Sequence, residues 1–251
     1  MITFFTDLDN TVVYSHRRNI GTEKTVVEYL DGKQQSFMTD HTYEYLKNAV
    51  WIDIIPVTTR TASQFSRLSL QELRISHALI CNGGMLMIDG IEDEEWTKGS
   101  LDLAGDQTGV LEKSLETVRE LFPGTVIHKP TPYMGYFKAD DPGGCCELLR
   151  KLIDDRDVSF SHDRNKVYCL ASSIDKGSAA LRYERLTGKG IDLAAGDSEM
   201  DVPLLNLARY AFATKRIAGL VRNRNLFVLE GEAVSDEICD IIQMLHVSGE
   251  I

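Results

Sequence analysis

The chain has 251 residues, of which 43% are hydrophobic and 26% are charged, as is typical of a globular protein with one large domain or a core plus a smaller module. A net charge of -11 argues against a nucleic-acid-binding surface, because phosphate backbones are bound by clustered Lys and Arg. The five cysteines follow no CxxC spacing and no apolar run reaches membrane-spanning length, so we expect reduced thiols in a cytoplasmic protein that has neither a zinc site nor a membrane segment.

The first part of the chain alternates apolar strands with helices. Residues 1–6 are an apolar, β-branched and aromatic run, which predicts a buried strand that ends at Asp7. The dipeptide Asp31-Gly32 is favoured in two-residue turns and predicts a hairpin over residues 25–39. Periodicity then predicts a helix over 40–49, a strand over 52–57, a helix over 61–73 and a strand over 77–81.

The alternation of apolar strands and helices changes after residue 84. Acidic, Gly-containing sequence is followed by a predicted helix over 110–122, two strands around Pro130 and Pro132, a helix over 143–154 and two strands between 158 and 170. From residue 176 the regular alternation of helices and strands resumes. It predicts helices over 177–186, 202–208, 217–221 and 235–245, and strands over 191–195, 210–214 and 226–229.

Strands that alternate with helices on both sides of an insert predict an α/β fold. We expect a doubly wound, Rossmann-like parallel-sheet core formed by residues 1–84 and 171–251, with a smaller α+β cap domain inserted over residues 85–170. In such sheets, ligands bind beyond the carboxyl ends of the strands.

Four polar clusters fall at predicted strand ends or at a helix start. Two carboxylates two residues apart allow one to attack while the other handles a proton, and a hydroxyl with exposed N–H groups suits a phosphate oxygen. A lysine adds a compact cation, and oxygen ligands without nearby His or Cys favour magnesium over zinc. The clusters are Asp7-Leu8-Asp9, Thr58-Thr59-Arg60, Lys176-Gly177 and Gly196-Asp197-Ser198-Glu199-Met200-Asp201.

Each cluster alone has an ordinary structural explanation. The paired aspartates could cap a turn, the threonines could begin a helix, the lysine could be solvated, and Gly196-Asp197 could be a strand-to-helix turn. Their joint order, with acid, hydroxyl, lysine and acid each at such a position, indicates a phosphate site instead.

The segments DLDNT, TTR, an isolated Lys and GDSEMD resemble the four motifs of haloacid dehalogenase superfamily phosphatases. The segment ICNGG resembles the subgroup whose cap lies between motifs two and three, which includes Cof-type, sucrose-phosphate and mannosyl-3-phosphoglycerate phosphatases. By motif, the resemblance covers residues 1–84 and 171–245.

The resemblance implies magnesium-dependent hydrolysis of a small phosphate ester, such as a sugar phosphate, through an aspartyl phosphate on Asp7. Asp9 would protonate the leaving alcohol and then deprotonate the attacking water. Metal binding would fall to Asp7, Asp9 through its backbone carbonyl, and Asp197, with Asp201 orienting a water or Lys176. The substrate phosphate and its surroundings would be contacted by Thr58, Thr59, Arg60, Asn82 and Lys176.

Two positions depart from the family pattern. Thr59 stands where the family often has Gly, and Met200 stands where the subgroup usually has Asn. The predicted hairpin at Asp31-Gly32 is also longer than usual for this subgroup.

Two other functions remain open on the residues. In a phosphotransferase or phosphomutase of the same superfamily, the phosphate would pass to another alcohol instead of water. A non-catalytic metabolite-binding regulator would keep the fold without turnover. Intact Asp7, Asp9, Lys176 and Asp197 count against the regulator, and Met200 is the one feature in its favour.

Overall fold

The computed structural model describes residues 1–153 and 156–251, which fall into two compact units. Unit 1 comprises Met1–Glu92 and Lys176–Ile251, and unit 2 comprises Asp93–Asp175. In the described part of the chain, no helix combines the length and the apolar character needed to cross a membrane.

The first segment of unit 1 contains most of the strands and a single long helix. In chain order its elements are β1 (Ile2–Thr6), β2 (Tyr14–Ser15), β3 (Lys24–Leu30), β4 (Lys33–Thr39), α1 (Asp40–Asn48), β5 (Ile52–Pro56), α2 (Ala62–Phe65), β6 (His77–Ile80), β7 (Met85–Ile88) and β8 (Ile91–Glu92).

Unit 2 packs helices on one face of an antiparallel sheet with the order β11-β12-β10-β9. Its elements are α3 (Glu94–Ala104), α4 (Gln107–Leu121), β9 (His128–Thr131), β10 (Met134–Lys138), α5 (Pro142–Leu152), β11 (Val158–Asp163) and β12 (Lys166–Ala171). Buried Leu115 of α4 and Leu149 of α5 meet Phe137 and Val167 of the sheet.

The second segment of unit 1 completes the fold. Its elements are α6 (Lys176–Thr187), β13 (Leu193–Gly196), α7 (Val202–Leu205), β14 (Tyr210–Thr214), β15 (Leu226–Leu229) and α8 (Val234–Val247). Short 3-10 helices lie at Gln71–Leu73, Cys81–Gly83, Glu199–Asp201 and Ala218–Leu220.

A five-stranded parallel sheet with the order β15-β14-β13-β1-β5 forms the centre of unit 1, which confirms the predicted α/β core. Its strands carry apolar side chains on both faces, since Phe4 and Phe5 are adjacent and both fully buried. Phe4 belongs to the core that includes Leu46 of α1 and Ile238 of α8, while Phe5 meets the ring of Tyr183 on α6 edge-on. Helices therefore cover both faces, as in a doubly wound sheet.

Two predicted helices are wrong, and one helix was not predicted. The helix expected over 61–73 is limited to α2 and a 3-10 turn, because Ser69 donates its N–H to Val27 O and draws the chain towards β3. Residues 94–104, for which the acidic and Gly-containing sequence predicts no element, form α3, whose first turn is capped by the Asp93 side chain. The 3-10 turn Ala218–Leu220 replaces the helix predicted over 217–221.

Residues 85–92 differ from the predicted boundary of the insert. β7 pairs with β6 in antiparallel register and β8 continues that sheet, so both strands belong to unit 1. The predicted helix over 143–154 corresponds to α5, and its last residue, Asp154, lies outside the described residues.

The hairpin turn between β3 and β4 offers a test of the backbone geometry. Asp31 and Gly32 have φ values of 51° and 73°, and a Cβ added at Gly32 would contact nothing within 4 Å. We expect Gly32→Ala to lower the free energy of unfolding by about 1 kcal/mol through backbone strain alone. Gly219→Ala, in a 3-10 turn with equally open space, is the control and should have little effect in urea denaturation. Equal losses in the two variants would contradict this explanation.

Candidate active site

The carboxyl ends of three adjacent strands bring the first polar residues together. β1 lies between β13 and β5, so Asp7, Asp197 and Thr58 follow neighbouring strand ends. Asp7 donates its N–H to Ala195 O at 2.9 Å, and Thr58 donates its N–H to Leu79 O at 2.9 Å. The parallel register therefore places residues that are far apart in sequence at one edge of the sheet.

Lys176 is the centre of the site, although it begins helix α6. Its side chain is 1% exposed, and Nζ donates to Asp7 Oδ1 at 2.6 Å and to Asp201 Oδ1 at 2.5 Å. The following Gly177 lets α6 approach α7, because an added Cβ would lie 2.8 Å from backbone atoms of Pro203. The alternative of a solvated lysine is therefore wrong.

Asp201 is held from both sides. Its Oδ1 accepts from Lys176, while its Oδ2 accepts from the N–H groups of Asp197 and Ser198 at 3.0 and 2.8 Å and from Ser198 Oγ at 2.8 Å. These bonds fix the loop that follows β13. They also give Asp201 four hydrogen bonds from protein donors, three of them to Oδ2.

Asp197 is paired with a residue that sequence reasoning did not single out. Arg216, which follows β14, donates from Nη2 to Asp197 Oδ2 at 3.0 Å and to Asp197 O at 2.7 Å. The Arg216 side chain is 51% exposed and the Asp197 side chain is 10% exposed. A cation two residues after a predicted strand end was the only available signal for Arg216.

Asp9 lies on a tight turn that follows β1. The N–H groups of Thr11, Val12 and Val13 all donate to Leu8 O, which folds the chain back immediately after Asp7. Arg60 binds the Asp9 carboxylate in a bidentate manner: Nε donates to Oδ2 at 2.8 Å and Nη2 donates to Oδ1 at 3.0 Å.

The loop after β5 is tied to the loop after β6. Asn82 donates its N–H to Thr58 O at 2.8 Å, and Cys81 donates its N–H to Arg60 O at 2.9 Å. Thr58 and Asn82 are both buried, and Thr59 between Thr58 and Arg60 is half-buried. Asn82 adopts a left-handed conformation with φ of 60°, in which its backbone can make this bond.

No model of a protein family matches the sequence, and no curated protein matches it. Several solved structures, however, are similar to this chain. The sucrose-phosphatase of Synechocystis sp., in complex with sucrose and phosphate, aligns over 96% of this chain and 97% of that chain, with 14% identity and a TM-score of 0.67. A HAD subclass IIB sugar phosphatase aligns over 100% of both chains with 15% identity and a TM-score of 0.57. A phosphatase of the HAD superfamily from Bacteroides thetaiotaomicron covers 98% of this chain and 96% of that chain, with 12% identity and a TM-score of 0.58.

The fold is that of the haloacid dehalogenase phosphatases. With identities of 12–15%, this likeness concerns the path of the backbone. The chemistry of this site therefore depends on the side chains that this chain places at the strand ends.

Three buried carboxylates converge at the strand ends. One oxygen each of Asp7, Asp197 and Asp201 lie within 4.8 Å of one another. Burial raises the pKa of Asp7 well above its ordinary value, Lys176 opposes this shift, and Asp201 and Asp197 add to it. Burial works against the charge of Lys176, but Asp201 and Asp7 together raise its pKa, so it stays an ammonium.

This cluster fits a magnesium ion by charge and by chemistry. Three carboxylates face one buried ammonium and the half-exposed Arg216 guanidinium, so the site keeps one excess negative charge, which a divalent cation would offset. All of the candidate donors are hard oxygens, the ligands that Mg²⁺ prefers.

Removal of the central cation tests how the cluster is held together. Lys176→Met would leave Asp7 and Asp201 buried without their shared partner, and we expect the free energy of unfolding in a metal chelator to fall by about 3–5 kcal/mol. Lys189→Met is the matched control, because Lys189 makes an ion pair of 2.6 Å with Asp53 but is 39% exposed. It should cost less than about 1 kcal/mol in the same denaturation experiment. Equal losses in the free energy of unfolding would show that the Lys176 cluster is no more important for stability than an exposed ion pair.

Proposed function

We propose that the chain is a Mg²⁺-dependent phosphomonoester hydrolase that acts on a small phosphorylated metabolite through a phospho-aspartate on Asp7. The observation that carries this proposal is the buried Lys176 ammonium between Asp7 and Asp201, with Asp197 beside them at the strand ends. A sugar phosphate is the favoured substrate class, because structures of the same fold include a sucrose-phosphatase and a sugar phosphatase.

In the proposed metal site, Asp7 and Asp197 would supply carboxylate oxygens and Asp9 its backbone carbonyl. Asp201 belongs to the predicted metal group as the residue that orients a metal-bound water or Lys176. Its two oxygens accept four hydrogen bonds from protein donors, so we assign it to the orientation of Lys176 and of the loop at Asp197. When bound, Mg²⁺ supplies positive charge that lets an anionic carboxylate approach an anionic phosphate.

Asp7 would be the nucleophile. Its Oδ1 accepts from Lys176, and Oδ2 would form the new bond to phosphorus as the bond to the leaving oxygen breaks. Asp9 would give its proton to that leaving oxygen. A water would then attack the phospho-aspartate, returning its proton to Asp9 and releasing phosphate and the free Asp7 carboxylate.

The remaining site residues would hold the phosphate and its surroundings. Lys176 would neutralise the phosphate oxygens and the Thr58 hydroxyl would orient them, since the Thr58 N–H already donates to Leu79 O, and Thr59 and Asn82 line the same loops. Arg60 was expected to contact substrate directly. Because its guanidinium already binds Asp9, we assign it first to the placement of that carboxylate.

We propose the inserted segment, expected over residues 85–170, as the cap that sets specificity. Unit 2 contributes most of this segment and has its own core between a sheet and helices.

We also propose a cytoplasmic location. The five cysteines are all free thiols, in keeping with that location.

The nucleophile assignment is tested by Asp7→Asn. The amide is nearly isosteric but is a poor nucleophile, so we expect turnover of 4-nitrophenyl phosphate to fall by about a thousandfold or more. Incorporation of ³²P into acid-quenched protein should disappear with it. Asp240→Asn, on the exposed face of α8, is the control and should keep both signals. Residual labelling in Asp7→Asn would place the covalent phosphate elsewhere.

The metal assignment is tested by exchange of the cation. We expect no turnover in a chelator, recovery with Mg²⁺, and suppression when Ca²⁺ replaces Mg²⁺, because Ca²⁺ takes more ligands at longer distances. A metal titration by calorimetry gives a readout that does not depend on activity, and heat of binding should be lost in Asp197→Asn. Full activity in the chelator would contradict the metal assignment.

A further inference from the structure

Glu28 is a buried carboxylate on the hairpin next to the site. In a regular strand successive side chains point to opposite faces, yet Val27 is 0% and Glu28 is 2% exposed. The pairing of β3 with β4 moves from Val26–Phe37 to Glu28–Ser36, so one extra residue is accommodated in β3. Such a bulge turns a side chain that would otherwise face solvent.

Three donors surround the Glu28 carboxylate. Ser36 Oγ donates to Oε2 at 2.6 Å, and Arg60 Nη1 donates to the same oxygen at 3.1 Å. Arg67 Nε donates to Oε1 at 3.0 Å. A carboxylate in an apolar hairpin strand is costly unless it is paired in this way, so these partners explain how Glu28 can be buried.

Arg60 joins Glu28 to the proposed acid–base residue. Its Nη1 donates to Glu28 Oε2 and to Gln64 O, while its Nε and Nη2 donate to the two oxygens of Asp9. Because a guanidinium is planar and rigid, fixing Nη1 also fixes the direction of the Nε–Nη2 edge. Burial opposes the charge of Arg60, but Asp9 and Glu28 raise its pKa, so the guanidinium remains charged.

We propose that Glu28 is a positioning residue for phosphoryl transfer, which through Arg60 holds the Asp9 carboxyl group where it meets the leaving oxygen. This inference rests on the proposed function. A carboxylate oxygen has two lone pairs, so accepting a hydrogen bond from Arg60 does not prevent the Asp9 carboxyl group from carrying and delivering a proton. As Asp7 forms its bond to phosphorus and the ester bond breaks, that proton passes from Asp9 to the departing oxygen.

The consequence is a dependence on the leaving group. Phenyl phosphate and 4-nitrophenyl phosphate have similar shapes, but phenolate is the stronger base and needs the proton more. Loss of Glu28 should therefore harm hydrolysis of phenyl phosphate more than hydrolysis of 4-nitrophenyl phosphate. A purely structural role for Glu28 would reduce both rates by the same factor, because it would change only the fraction of folded protein.

The experiment compares kcat/KM for both esters in wild type, Glu28→Gln and Glu44→Gln. Glu28→Gln should lower the value for phenyl phosphate by about tenfold and that for 4-nitrophenyl phosphate by about twofold. Glu44 is exposed on α1, and its substitution should change neither value. In an Asp9→Asn background, Glu28→Gln should no longer change the ratio of the two values.

A milder variant covers the case in which Glu28→Gln folds poorly. Ser36→Ala removes only one donor to Glu28 and should shift the same ratio in the same direction by about twofold. An unchanged ratio in both variants, with active wild type, would overturn the positioning role alone. A wild-type chain that hydrolyses neither ester would overturn the proposed function, and this inference with it.

Discussion

The burial of one ammonium group between two carboxylates is the constraint on which the rest of the site depends. Lys176 begins a helix, Asp7 ends a strand and Asp201 lies in a 3-10 turn, so the cluster joins three elements at the middle of the sheet. An ion desolvated to this degree is tolerated only with complete pairing. The close approach of α6 to α7 at Gly177 satisfies that requirement, because it carries Lys176 to the strand ends.

The charges around this cluster are arranged in two layers. The inner carboxylates of Asp7 and Asp201 share the Lys176 ammonium and Asp197 pairs with half-exposed Arg216, which leaves one excess negative charge that suits a divalent cation. The outer carboxylates of Asp9 and Glu28 are bound by arginines. The excess negative charge thus lies where a metal ion would bind, while the surrounding acids are neutralised by arginines.

The hairpin formed by β3 and β4 has a place in this arrangement. It is anchored to the loop after β5 through Glu28 and Arg60, and to the loop at Leu68 by a backbone bridge. Sequence analysis noted the length of this hairpin but not its charged anchor. A single acidic residue in an otherwise apolar strand was the available signal, and its direction was decided by a bulge that the sequence does not reveal.

The sequence by itself determined the α/β order, the strand ends at Asp7, Thr58 and Asp197, and the Asp31-Gly32 turn, since these follow from local periodicity and turn chemistry. It failed for residues 61–73, where bonding to β3 outweighed helical periodicity, and for residues 85–92, where pairing with β6 placed two strands in unit 1. Only the tertiary structure decided that Asp201 accepts four hydrogen bonds from protein donors, that Arg60 holds Asp9 and Glu28 together, and that Arg216 pairs with Asp197. These pairs join residues up to 51 positions apart, and one of the bonds to Asp201 comes from Lys176 on a different helix. Such contacts depend on side-chain direction and loop geometry, which the order of residues along the chain does not specify.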